Sequence, residues 1–242
     1  MTGSVFLSGG GGAEDSAPLD SAFAAALGSG PLWYWPVAMD PVAMDPVTTD
    51  PVTTDLAEQA YADCLAWLTG VFGPLGVTDI DMWEGSGTGL AERLPDYRGV
   101  YIGGGNTFRL LDLVRRNGLL PPLRDFIENG GVVYGGSAGA ALLGSDISTI
   151  AHMDPDPYGT TDTRGLDRIA GYGVFVHHRP SEVPRAQDWA RENHRPVVAL
   201  HERAGAVVTD GRLTSVGFEP VEIIDTGTLG VRSVRPGESV AL

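Results

Sequence analysis

Short runs of consecutive apolar residues alternate along this chain with longer stretches in which apolar positions recur at helical spacing. Residues 5–7 form the first apolar run and lead into Gly9, Gly10, Gly11 and Gly12, after which the spacing predicts a helix over residues 21–27. A further apolar stretch covers residues 32–35. Helical spacing returns over residues 56–72, and residues 77–82 read as the next strand. Residues 100–102 are a short strand ending in a Gly-Gly-Gly-Asn turn. The amphipathic run after it, residues 108–114, closes on Arg115 and Arg116, the favourable charge for a helix C-terminus. Residues 121–129 give another helix, stopped by Gly130 and Gly131, and residues 132–134 a strand that turns directly into the helix formers 140–143. Strands alternating with helices predict an α/β fold, a mostly parallel sheet flanked by helices on both faces.

One segment breaks this rhythm. Residues 36–55 are four consecutive five-residue units, PVAMD twice and PVTTD twice. Proline at every fifth position forbids a continuous helix and removes sheet donors, so an extended or turn-rich loop insertion is expected there. The remainder fits one α/β domain over residues 1–242, a length at which a single core is ordinary.

Composition narrows the function classes. The formal charge is -15, with 31 acidic against 16 basic residues, so the surface repels phosphate backbones and anionic lipids, and no nucleic-acid or membrane partner is expected. Cys64 is the single cysteine, which excludes an intramolecular disulfide and a Cys-rich metal site; its apolar helical setting fits a buried, inert thiol. No signal-peptide pattern and no run of about 18 apolar residues occurs, so a cytoplasmic protein, monomer or homodimer, is expected. The glycine turn at residues 9–12 lacks both the Gly-Lys-Ser/Thr ending of a P-loop and the spaced dinucleotide fingerprint. No cofactor is expected.

The sharpest chemical signal is Gly135-Gly136-Ser137-Ala138-Gly139, set between the strand at 132–134 and the helix formers that follow. A serine held in a strand-to-helix turn needs tiny neighbours, because its backbone brings the flanking residues close together. The turn also puts Ser137 at a helix N-terminus, where the Ala138 N–H can stabilise an oxyanion. Ser137 is therefore the candidate nucleophile. A second glycine run, Gly103 to Gly105, leaves backbone N–H groups unobstructed at a strand's carboxyl end, where open α/β sheets bind ligands.

These two motifs, YIGGGNTFRLL at residues 101–111 and GGSAGA at 135–140, are similar in order and separation to those of the peptidase E and cyanophycinase group of serine peptidases, which includes the aspartyl dipeptidases. The resemblance implies a class I glutamine amidotransferase-like or flavodoxin-like three-layer sandwich with a nucleophile elbow. It implies an oxyanion hole from Gly104 or Gly105 with Ala138, and substrate contacts at Asn106 and Thr107, Asn106 also being placed to cap the next helix.

Ser137 needs a base. The apolar run 174–176 delivers His177 and His178 to the sheet edge, and strand alternation lets only one of them serve. The family's histidine position favours His178, with His177 the alternative. For the orienting acid the resemblance favours Asp154, with Asp156 and Glu202 as further candidates. His152, Asp154, His177 and His178 show no tight metal-ligand spacing, so no metal is expected. The function these residues imply is a serine peptidase acting through an acyl-enzyme on small peptides, with N-terminal aspartate as the substrate the resemblance suggests. The alternatives are a catalytically altered relative that binds an amino-acid or peptide derivative, and an amidase acting on another amide. A glutamine-amidotransferase-like enzyme is disfavoured because such enzymes use cysteine where this chain has Ser137.

Overall fold

The computed structural model describes residues 3–39 and 54–242, with side chains from residue 58 onward in the second stretch. The first half runs β1 (Val5–Ser8), α1 (Ala13–Leu27), β2 (Leu32–Trp35), α2 (Thr54–Phe72), β3 (Ile80–Met82), α3 (Leu90–Arg93) and β4 (Gly99–Ile102). There follow α4 (Thr107–Arg116), α5 (Leu120–Glu128), β5 (Val132–Gly136), α6 (Ala138–Leu143), β6 (Gly173–Phe175), α7 (Val183–Asn193) and β7 (Val197–Leu200). The C-terminal part is all strand: β8 (Gly205–Thr209), β9 (Arg212–Ser215), β10 (Val221–Ile224), β11 (Val231–Val234) and β12 (Ser239–Ala241).

An eight-stranded sheet has the order β12-β9-β8-β1-β5-β4-β2-β3. Its β1, β5, β4, β2 and β3 are parallel, whereas β8, β9 and β12 extend it antiparallel from β1. The parallel strands β1, β2, β4 and β5 are buried along their whole length, as strands covered on both faces must be. Residue alternation sorts their side chains into two layers. Phe6, Tyr34, Tyr101 and Tyr134 pack with Leu19 and Phe23 of α1 and Leu68 and Phe72 of α2. Leu7, Trp33, Trp35, Ile102 and Val133 pack on the opposite face with Leu110 and Leu111 of α4 and Ala141 and Leu142 of α6. Three layers result, as the sequence pattern predicts.

A second sheet, β11-β10-β7-β6, was not legible in that pattern. Its β6 and β7 are parallel and its other pairs antiparallel. The α1 helix also begins earlier than residue 21, at Ala13. Asp15 accepts a hydrogen bond from Gly12 N at 3.1 Å to fix that start, and the helix runs through Pro18, which leaves only the carbonyl one turn before it without a donor. Within the proline repeat, residues 40–53 lie outside the described residues. Val37 and Ala38, at its beginning, are fully buried, and Thr54 already belongs to α2.

Candidate active site

The elbow forms because two glycines let two backbones touch. A side chain on Gly135 would collide with the backbone of Gly139 and Ala140, and one on Gly139 with the carbonyl of Ile102 in β4. Between them Ser137 takes φ 48° and ψ -105°, a left-handed conformation costing about 1–3 kcal/mol in a residue with a side chain. Its N–H donates to the Ser8 carbonyl at 3.2 Å and its carbonyl accepts from Ala141 N at 3.0 Å. The hydroxyl is thereby held above the carboxyl edge of the sheet.

Ser137 Oγ lies 2.9 Å from His177 Nε2. On the far side of the ring, His177 Nδ1 lies 3.4 Å from Glu202 Oε1. The three residues follow the carboxyl ends of β5, β6 and β7, so both sheets bring their ends to one point. The glycine turn after β1 joins them. His177 N donates to the Gly9 carbonyl at 2.8 Å, Gly9 N to Ala204 at 3.1 Å and Gly11 N to Glu202 at 3.2 Å. A side chain on Gly9, Gly10 or Gly11 would strike His201, the His177 ring or Glu202 respectively. The glycine run, which lacks the phosphate-binding fingerprints, is thus the seat of the histidine and acid loops.

His178, the base favoured from sequence, points elsewhere. Its side chain is fully buried, with Nε2 3.2 Å from Glu222 Oε2, and His201 Nε2 lies 3.8 Å from the other oxygen of that carboxylate. Burial lowers the His178 pKa and keeps the ring neutral near pH 7. The alternation argument does not reach these residues, because β6 ends at Phe175 and His177 has φ 50°. Asp154 does not reach His177 either. Its Oδ2 accepts from Thr107 N at 2.7 Å, at the start of α4. Asp156 closes its own turn, accepting from the N–H groups of Tyr158 at 3.0 Å and Thr160 at 2.6 Å. His152 sits 3.6 Å from Glu182, so the four residues weighed as metal ligands do not converge. Among the described residues no group of three or more His, Cys, Asp or Glu is placed to hold a metal ion.

The second glycine run lies beside Ser137. A Cβ on Gly104 would stand 3.4 Å from Ser137 Cβ and 4.0 Å from its Oγ, which places Gly104 next to the Ser137 side chain. Gly105, at φ 132°, packs against the Ala38 backbone instead. Asn106 caps α4, its Oδ1 accepting from Arg109 N at 2.8 Å while Nδ2 donates to the Pro155 carbonyl at 2.8 Å. Thr107 is buried. Neither of these two lines the cavity at Ser137.

That cavity, about 110 Å³, is lined by Ser8, Gly10, Ser16, Asp20, Gly104 and Ser137 among others. Trp67, Tyr101 and Gly104 also line a neighbouring cavity of about 380 Å³ that includes Tyr34, Asp63 and Cys64. Asp20 escaped the sequence reading because it precedes residue 21, where the helix was expected to begin. Its carboxylate accepts from Tyr134 Oη at 2.7 Å, and burial pushes its pKa up to about 6. Near pH 7 the ion costs on the order of 2–3 kcal/mol relative to the unfolded chain. A raised folded pKa makes the folded state the stronger proton binder between pH 4 and 6, so this cost is full above pH 6 and vanishes below about pH 4. Asp20→Asn is therefore expected to raise the thermal midpoint at pH 8 and to lose that advantage at pH 4, measured by calorimetry across the range.

The fold and the serine turn define a three-layer α/β protein with a nucleophile elbow. The chain belongs to Peptidase family S51, whose sequence profile matches residues 58–216. Peptidase E of Escherichia coli (strain K12 / DH10B) and of Shigella boydii serotype 18 (strain CDC 3083-94 / BS512) are each 36% identical to it over 161 residues, 66% of this chain and 64% of theirs. The match thus spans a little under two thirds of those relatives. A crystal structure of a peptidase from an acI-B1 Actinobacterium superposes with a TM-score of 0.69 at 18% identity, covering 100% of this chain and 98% of that one. A protein of Listeria monocytogenes EGD-e provisionally assigned as Peptidase E gives 0.64 at 18%, covering 89% and 98%. These two share the fold. Among the described residues no helix is long and apolar enough to cross a membrane.

Proposed function

We propose that this chain is a serine peptidase of short peptides, with Ser137 as nucleophile, His177 as general base and Glu202 as the acid that orients the ring. The observation that carries the reading is the 2.9 Å separation of Ser137 Oγ and His177 Nε2. In this scheme the Glu202 carboxylate holds the proton on His177 Nδ1, which leaves Nε2 free to accept the Ser137 proton as Oγ attacks the peptide carbonyl carbon. The oxyanion is received by the N–H groups of Ala138 and Gly104, the first being one of the helix-start donors that have no partner within α6. His177 then gives its proton to the departing amine as the C–N bond breaks. A water activated by the same nitrogen releases the acyl group and restores Ser137.

A carboxylate behind His177 also weighs against the non-catalytic binding alternative. Glu202 is about half exposed and stands 3.4 Å from the ring, longer than the usual 2.7–3.2 Å. Water screening weakens its hold, so Glu202→Gln is expected to lower kcat by on the order of 10- to 1000-fold, less than removal of the histidine.

The reading is tested by following hydrolysis of a dipeptide panel, without added metal, by wild type and Ser137→Ala. Turnover that Ser137→Ala abolishes is the expected result; equal turnover by both proteins overturns it.

A further inference from the structure

Among the described residues, the cavities beside Ser137 are lined by acids and aromatic rings and by no arginine or lysine. The two adjoining cavities are walled by Asp20 from α1, Asp63, Cys64 and Trp67 from α2, Tyr34 from β2 and Tyr101 from β4. No arginine, lysine or histidine is among their lining residues. The chain's first basic residue is Arg93, so α1, β2, α2 and the proline repeat carry no positive side chain. Two arginines that could fork on a substrate carboxylate, Arg164 and Arg179, are also elsewhere. Arg164 is forked on Asp162 at 2.8–2.9 Å, and Arg179 lies outside both cavities, its backbone N–H donating to Glu182.

Two features of this wall point to a ligand. Trp67 leaves 47% of its surface uncovered while its ring meets Tyr101 edge-on, a large apolar face open to the cavity. Asp20 is 3% exposed, and Tyr134 is its one hydrogen-bond partner among the described residues. A buried carboxylate with spare acceptor capacity on a cavity wall asks for a cationic hydrogen-bond donor.

We infer, building on the serine-peptidase reading, that the residue whose carbonyl Ser137 attacks is an N-terminal amino acid with a free α-ammonium and an apolar or aromatic side chain, the ammonium docking on Asp20 and the side chain against Tyr34, Trp67 and Tyr101. An aspartyl residue, the substrate the family resemblance implies, would bring a further carboxylate into a cavity already walled by Asp20 and Asp63, with no cation to offset it. This protein therefore selects against N-terminal aspartate. Asp20 makes the site an exopeptidase site, because a blocked or internal amide has no ammonium to place there.

The test compares p-nitroanilides of phenylalanine, leucine and aspartate with wild type and Asp20→Asn, alongside labelling of both proteins by a fluorophosphonate. Wild type is expected to cleave the phenylalanine and leucine substrates with kcat/KM on the order of 100-fold above that for aspartate. Asp20→Asn is expected to raise KM for the phenylalanine substrate roughly 10- to 100-fold with kcat within a few-fold, because the lost contact holds the ground state and transition state alike. A merely structural Asp20 would leave that KM unmoved. Preference for aspartate, an unchanged KM, or Ser137 labelling without turnover of the apolar substrates overturns this inference and leaves the serine mechanism standing. Absence of both turnover and Ser137 labelling overturns the two together.

Discussion

His177→Ala is expected to lower kcat by on the order of 10⁴-fold or more, whereas His178→Ala is expected to leave kcat within about tenfold of wild type and to unsettle the fold instead. The two histidines are consecutive, so the contrast rests on geometry alone. His177 Nε2 stands 2.9 Å from the Ser137 hydroxyl, and its removal leaves that hydroxyl without a proton acceptor. His178 faces Glu222 at 3.2 Å from a fully buried position. Its loss strips a largely buried carboxylate of its nearer partner, at a cost of about 1–3 kcal/mol in stability. Steady-state turnover and thermal midpoints of the two variants check both halves of the prediction; a catalytic defect confined to His178→Ala would reverse the assignment.

Gly139→Ala is expected to destabilise the protein by about 3 kcal/mol or more, while Gly70→Ala, the same chemical change in α2, is expected to stabilise it by up to about 1 kcal/mol. At Gly139 the new methyl runs into the Ile102 carbonyl, backbone at the carboxyl end of β4 that the sheet holds in place. The α6 start would be pushed away from β4, carrying Ser137 off its line to His177, so activity falls along with stability. At Gly70 nothing lies within 4 Å of the added atom, and alanine has the better helix propensity. Urea unfolding of the pair reads the difference directly. Equal effects at the two positions would mean that the elbow is not as tightly packed as its contacts indicate.

The sequence pattern exposed the parallel half of the main sheet and the helices between its strands, because β1, β4 and β5 are short apolar runs ending at glycines and the helices carry one-sided apolar spacing. Ser137 was legible for the same reason, since its turn requires small residues at fixed offsets. The start of α1 was hidden by Pro18 and the polar residues before it, and Asp20 was hidden with it. The antiparallel strands after Leu200 fall in a region where Gly, Asp and Arg interrupt every apolar run, and their partners are remote: β8 pairs with β1 and β10 with β7. The choice between His177 and His178 turned on a positive φ beyond the end of β6, which alternation along a strand does not report. Glu202, 25 residues from His177, reaches it only because the Gly9–Gly11 turn stitches two sheets together. Local spacing carries no trace of that contact.

The most direct test of the central claim is intact-mass and peptide mass spectrometry after fluorophosphonate treatment at pH 7.5. The account predicts one adduct per chain, on Ser137, absent from Ser137→Ala and formed far more slowly in His177→Ala. An adduct on another residue, or equal labelling rates in wild type and His177→Ala, would contradict it.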